Sequence, residues 1–178
     1  GNFEEPVTQS TLKVVGAFHG LSRARSDARR YPAIDPLESW SKYSSVADDE
    51  SVAFARRMLH EGSEVGQMMK VVGEEGTSLD DFLLYLKAEF FDEAYLQQDA
   101  LDEVDGSCTA ERQQELFERM ILIVRTPMTF EDKGKARSFF QRMAQTFKDW
   151  NRVAPGSVEH KEIDERLAGM VAEVADYA

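Results

Sequence analysis

The sequence predicts an all-α protein, a helical bundle of about five helices preceded by one helix and a proline elbow. Three observations carry this. From Asp48 onward apolar residues recur at helical spacing almost throughout. A capping Thr or Ser opens several of the apolar runs, and Gly or Pro closes most of them. Nowhere does the chain show the sustained alternation of a half-buried strand, and there is no internal repeat.

Taken in order, Gly1 to Pro6 reads as an extended lead-in. Thr8 is placed to cap a helix running to about Arg30, with Leu12, Val15, Phe18 and Leu21 on one face. Arg23, Arg25, Arg29 and Arg30 gather toward its C-terminal end, where cations complement the helix dipole. The next helix carries Phe54, Met58, Val65, Met69 and Val72 as one stripe, closed by Gly73 and Gly76. Ser78 with Asp81 resembles a capping box and opens a helix bearing Leu79, Phe82, Leu83, Leu86 and Phe90. Leu84, Tyr85 and Phe91 load its other sides, which predicts the most buried helix of the set. A loop follows from Asp99 to Ser107. Thr109 then caps a helix using Leu116, Phe117, Met120, Ile121 and Val124, and Pro127 ends it. Thr129, Glu131 and Asp132 start another, with Phe139, Phe140, Met143, Phe147 and Trp150 inward. After Pro155 and Gly156, Ser157 caps a last helix built on Ile163, Leu167, Met170 and Val174.

With 178 residues, 42% apolar and 30% charged, the chain has the composition of an ordinary soluble globular protein. No apolar run approaches the length a membrane span needs, and the N-terminus lacks a signal-peptide pattern. The single cysteine, Cys108, excludes an internal disulfide and leans toward the cytosol. Net charge is −12, distributed as about +1 over residues 1–45 and −13 over the rest. So acidic a surface repels phosphate backbones, which argues against nucleic acid as a partner. It suits solubility or a basic protein partner. His19, His60 and His160 lie far apart and lack ligand spacing to one another or to Cys108, so no metal site is expected. The acidic loop Asp102, Glu103, Asp105 lacks the calcium-loop pattern and reads as a solvated turn.

The elbow is residues 31–43, YPAIDPLESWSKY. Pro32 and Pro36 fix their own φ and push Tyr31 and Asp35 toward extended geometry. Tyr31 is thereby held on a stiff backbone, equally suited to packing or to presenting an aromatic face. A second string, YLQQDALDEVD at 95–105, runs from a buried helix into a loop of amides and carboxylates that can read the edge of a heterocycle.

These strings resemble a family signature. YPAIDPL is similar to the elbow of rotary ATPase catalytic subunits. YLQQDALDEVD is similar to the FLQQ-[ND]-AF-D-E-V-D loop of the V/A-type catalytic alpha chain, and NFEEPVTQSTLKVV at 2–15 to its DFSEPVTQ-x-TL-x-IV segment. The three occur in family order. The YPAIDPL string is shared with the F-type catalytic subunit, whereas the EPVTQ and LQQ-D-A strings point to the V/A type. A free-standing helical interaction module that binds no nucleotide is the alternative of a different class.

The resemblance implies that residues 1–45 are the C-terminal remnant of a nucleotide-binding domain and 46–178 the C-terminal helical domain. It implies Tyr31 as the ring stacking on adenine, with Pro32 beside it, and Gln98, Asp99, Ala100 and Leu101 as the opposite wall. Leu101 departs from the family's phenylalanine and supplies apolar contact without a ring. Glu4, Glu5, Ser78, Asp80 and Asp81 would contact the central stalk, although exposed acids at a helix turn are also commonly just solvated. The implied cofactor is ATP or ADP with Mg, held by the full-length protein. The implied partners are the B-type subunits that alternate with the catalytic ones in a hexamer, and the central-stalk subunits. The implied location is cytoplasmic, peripheral to the membrane. G-x-x-x-x-G-K-[ST] does not occur: Gly134-Lys135 has neither the preceding glycine nor the following hydroxyl. No catalytic residue is assigned, and the chain alone is expected not to hydrolyse ATP.

Overall fold

The computed structural model describes residues 5–41, 47–97 and 102–176. It divides into two compact units, Gly1–Ser45 and Val46–Ala178.

In the first unit the single long helix expected from Thr8 to Arg30 does not form. Helix α1 spans Pro6–Val14 with proline at its start, and Thr8 lies inside it. Gly16 and Gly20 follow at four-residue spacing, where glycine disfavours helix. The chain there pairs instead: β1 (Ala17–Phe18) lies antiparallel to β2 (Trp40–Ser41), a two-stranded ladder absent from the sequence reading. Helix α2 is one short turn, Arg23–Asp27, capped by Ser22. The dipole argument for Arg29 and Arg30 therefore fails. Both lie beyond α2, and Arg29 takes a left-handed φ of 57°.

Among its described residues the second unit holds five α-helices: α3 (Asp49–Val72), α4 (Leu79–Phe91), α5 (Ala110–Arg125), α6 (Lys133–Arg152) and α7 (Val158–Val174). Ser78, Thr109 and Ser157 cap their helices as expected, and Asp48 and Asp132 do the same for α3 and α6; each accepts a backbone N–H from three residues on, while Thr129 and Glu131 lie before α6. At Ser78 the box is modified. The shorter Asp81 carboxylate takes the Ser78 hydroxyl at 2.7 Å rather than reaching the backbone. Helix α4 is the most enclosed, every residue from Asp81 to Phe91 being buried or half-buried. It packs on α3 and α6, with Phe90 edge-on to Phe147 at 6.0 Å. In α3 the buried line is Ser51, Ala55, Met58, Gly62 and Val65, while Val72, expected in the stripe, is half exposed. Periodicity gives no sign of the π-turn at Asp92–Leu96, into which α4 widens. Among the described residues no helix is long and apolar enough to cross a membrane.

Candidate functional site

Tyr31 sits at the end of a loop whose two limbs are tied together by backbone bonds. Ser22 N–H donates to Ala33 O at 2.8 Å and Asp35 N–H to Gly20 O at 2.7 Å, with Leu21 bridged to Ile34. Gly20 N–H reaches Ser39 Oγ at 3.0 Å. Asp35 closes its own turn by accepting from Leu37 and Glu38, and Phe18 packs on Trp40 with ring centroids 6.4 Å apart. Rigidity here comes from this ladder as well as from the prolines. Sequence reasoning missed the ladder, although the Gly16–Gly20 spacing is a signal for it. Tyr31 is 56% exposed and Pro32 beside it is exposed, the two joined through a cis peptide bond. An aromatic face with that exposure, on a backbone tied at its root, can accept a planar ligand.

In the second unit the π-turn is fastened by α6. Asn151 Nδ2 donates to Ala94 O at 3.1 Å, and Lys148 Nζ bonds Glu93 at 2.6 Å. Gln97 N–H closes the turn on Asp92 O at 3.2 Å. Tyr95 packs on Phe91 and Phe117 at 5.1 and 5.6 Å, and burial pushes its phenol up to about 12. Burial likewise raises the Cys108 thiol. Gln98, Asp99, Ala100 and Leu101, expected to wall an adenine pocket, lie outside the described residues. Beyond them Asp102 Oδ1 accepts from Val104 and Asp105 N–H, which lowers its carboxyl. That carboxylate is a turn former.

At the opposite end of α4, three of the expected stalk-contact residues follow the turn after Gly73: Ser78 caps the helix, and Asp80 and Asp81 lie in its first turn. Ser78 and Asp80 are exposed and Asp81 half-buried; Val71, just before the turn, is also exposed. Glu5 is exposed in the first unit, while Glu4 lies outside the described residues. Sequence reasoning passed over Arg112, which is buried against His160 and Trp150. A charged residue on an otherwise apolar helix face was the available signal. Among the described residues, no three His, Cys, Asp or Glu side chains gather in a way that could hold a metal.

Residues 50–130 match the family model for the C-terminal domain of V and A type ATP synthase. The V-type ATP synthase alpha chain of Treponema denticola is 54% identical over 99% of this chain, and alpha chain 1 of Treponema pallidum is 53% identical over 94%. These alignments occupy 30% and 28% of the respective relatives, so the chain spans under a third of their length. Among solved structures, the ATP synthase subunit NeqB of Nanoarcheaum equitans superposes with a TM-score of 0.58. That alignment covers 71% of this chain and 32% of the other at 20% identity, a likeness of fold alone. By the motif strings, the helical architecture and these matches together, the chain belongs to the alpha-chain family of V/A-type ATP synthases and corresponds to a C-terminal portion of such a chain.

Proposed function

We propose that this chain is the part of an ATP synthase catalytic subunit that supplies the adenine wall of the nucleotide site and the contact to the central stalk. In the complete protein, hydrolysis or synthesis of ATP with Mg is coupled through residues 46–178 to rotation, and so to ion transport across a membrane. Residues 1–45 belong to the end of the nucleotide-binding domain. The observation that carries the reading is Tyr31: an exposed ring on a loop tied at its root, within a string that resembles the family's adenine-stacking elbow. Gln98, Asp99, Ala100 and Leu101 are assigned the facing wall on the likeness of their string to the family's loop, with leucine where that loop has a phenylalanine. Glu4, Glu5, Ser78, Asp80 and Asp81 are assigned the stalk contact on the same likeness, and a neighbouring B-type subunit is assigned the rest of the catalytic interface. The chain itself contributes no phosphate-binding loop, so turnover belongs to the complete assembly.

Stacking of a base on an aromatic ring contributes about 1–3 kcal/mol. In the assembled complex Tyr31→Ala should therefore raise KM for ATP by roughly five- to 150-fold, and Tyr31→Phe should leave it near the parent value. Steady-state kinetics on the two variants decides the matter. Equal effects would show that the hydroxyl or simple packing, and not the ring face, is what matters at this position.

A further inference from the structure

The turn between α3 and α4 is held from outside by the start of α6. Lys133 Nζ donates to the carbonyl oxygens of Glu74 and Thr77, each at 2.5 Å. Arg137, one helical turn further along, pairs with the Glu74 carboxylate. Both cations also lie over the Phe82 ring, at 5.9 and 5.1 Å from its centroid. The turn is closed internally as well. Thr77 is buried, its N–H donating to Glu74 O at 3.2 Å and its hydroxyl to Gly73 O at 3.1 Å.

Without the outside grip this would be the place for the hairpin to bend. Gly73 adopts a φ of 78° with open space around it, and Gly76 follows three residues later. Glycines give the backbone freedom that other residues lack. The Lys133 ammonium takes two carbonyls inside the turn, Glu74 O and Thr77 O, and so joins its two sides to α6. An exposed ion pair such as Arg137–Glu74 contributes little alone, whereas the charge-assisted bonds of Lys133 to backbone fix a geometry.

We infer that Lys133 is a positioning residue for this tip: its ammonium fixes Gly73–Ser78 to α6, so that force applied at Asp80 and Asp81 passes into α6 instead of being absorbed by bending at the two glycines. The mechanical role rests on the reading that the tip meets the central stalk, while the clamp rests on the bonds just given.

Two measurements on Lys133→Met and Lys133→Arg test it. By hydrogen exchange, Lys133→Met should speed the amides of Thr77 and Asp81 about tenfold, with α5 and α7 unchanged and Lys133→Arg recovering most of the protection. Unchanged exchange at Thr77 would overturn the clamp. So would an equal rise across α5 and α7, because Lys133 would then support the bundle as a whole. In the assembled complex, Lys133→Met should lower ions transported per ATP hydrolysed while KM for ATP holds. Asp80→Lys is measured beside it as a control on the stalk contact. Coupling that survives Lys133→Met but falls with Asp80→Lys overturns the positioning role. Coupling that survives both overturns the stalk reading, and the mechanical role with it.

Discussion

Arg112 shows how one side chain can tie three helices and make a fold sensitive to pH. It leaves α5, donates to Trp150 O of α6 at 3.0 Å and meets His160 Nε2 of α7 at the same distance, its guanidinium 4.3 Å above the Trp150 ring. Arginine has only donors, so His160 Nε2 must be the acceptor, and the imidazole is held neutral. Arg112 and His160 are each 7% exposed. Burial first, and the Arg112 charge second, hold the His160 imidazole below its usual value; Glu115 and Asp164 oppose this, and Arg119 reinforces it. Because the folded state resists a proton that the unfolded state takes up, stability is full above the unfolded value near 6.5 and declines as pH falls below it. Chemical denaturation should show this decline between about pH 7 and 5. His160→Gln, which keeps an acceptor toward Arg112 but cannot titrate, should flatten it. A slope unchanged in that variant would place the titration elsewhere.

Within the helical unit, the α3–α4 crossing sets a limit on side-chain size. A Cβ built on Gly62 would come within 2.4 Å of Ala88 Cβ, closer than the helices can accept without separating. Alanine gains about 1 kcal/mol of helix propensity at an interior glycine, while overpacking a tight contact costs about 1–3 kcal/mol. Gly62→Ala should thus lower the melting temperature, whereas Gly169→Ala in α7, where nothing lies within 4 Å, should raise it. Thermal unfolding of the pair isolates the crossing from propensity. The helices of residues 46–178 are legible in the sequence because cap and stripe agree at several starts, as at Ser157 with Ile163 and Leu167. Gly62 is not legible as a contact, since a glycine in a helical run does not say which helix approaches it. Nor is the π-turn, whose Ala94 carbonyl is satisfied by Asn151 from a helix 57 residues away. The misreading of residues 8–30 has a local cause. Leu12, Val15, Phe18 and Leu21 do have helical spacing, yet Gly16 and Gly20 and a partner strand at Trp40–Ser41 outweigh it. Tyr31 is legible as a ring on stiff backbone, but the ladder beneath it depends on residues that pair across the loop.

At the scale of the whole chain, the sequence contains no G-x-x-x-x-G-K-[ST], and it comes nearest to one at Gly134-Lys135. Gly134-Lys135 lies in the opening turn of α6, and the Asp132 carboxylate already accepts the Lys135 N–H at 2.8 Å. A helix N-terminus so capped offers its donors to its own acid and repels a second anion. The charge of residues 46–178, near −13, adds a long-range penalty for a triphosphate. What remains for a nucleotide is the base. A stacking contact of about 1–3 kcal/mol cannot by itself offset the entropy lost on binding, since even a millimolar complex needs about 4 kcal/mol. The chain alone should accordingly show no ATP turnover, and a dissociation constant for ATP no tighter than about millimolar by titration calorimetry. A sub-micromolar constant would require a triphosphate site within these residues. It would move the seat of nucleotide binding away from the missing loop and onto groups that the acidic surface and the Asp132 cap argue against.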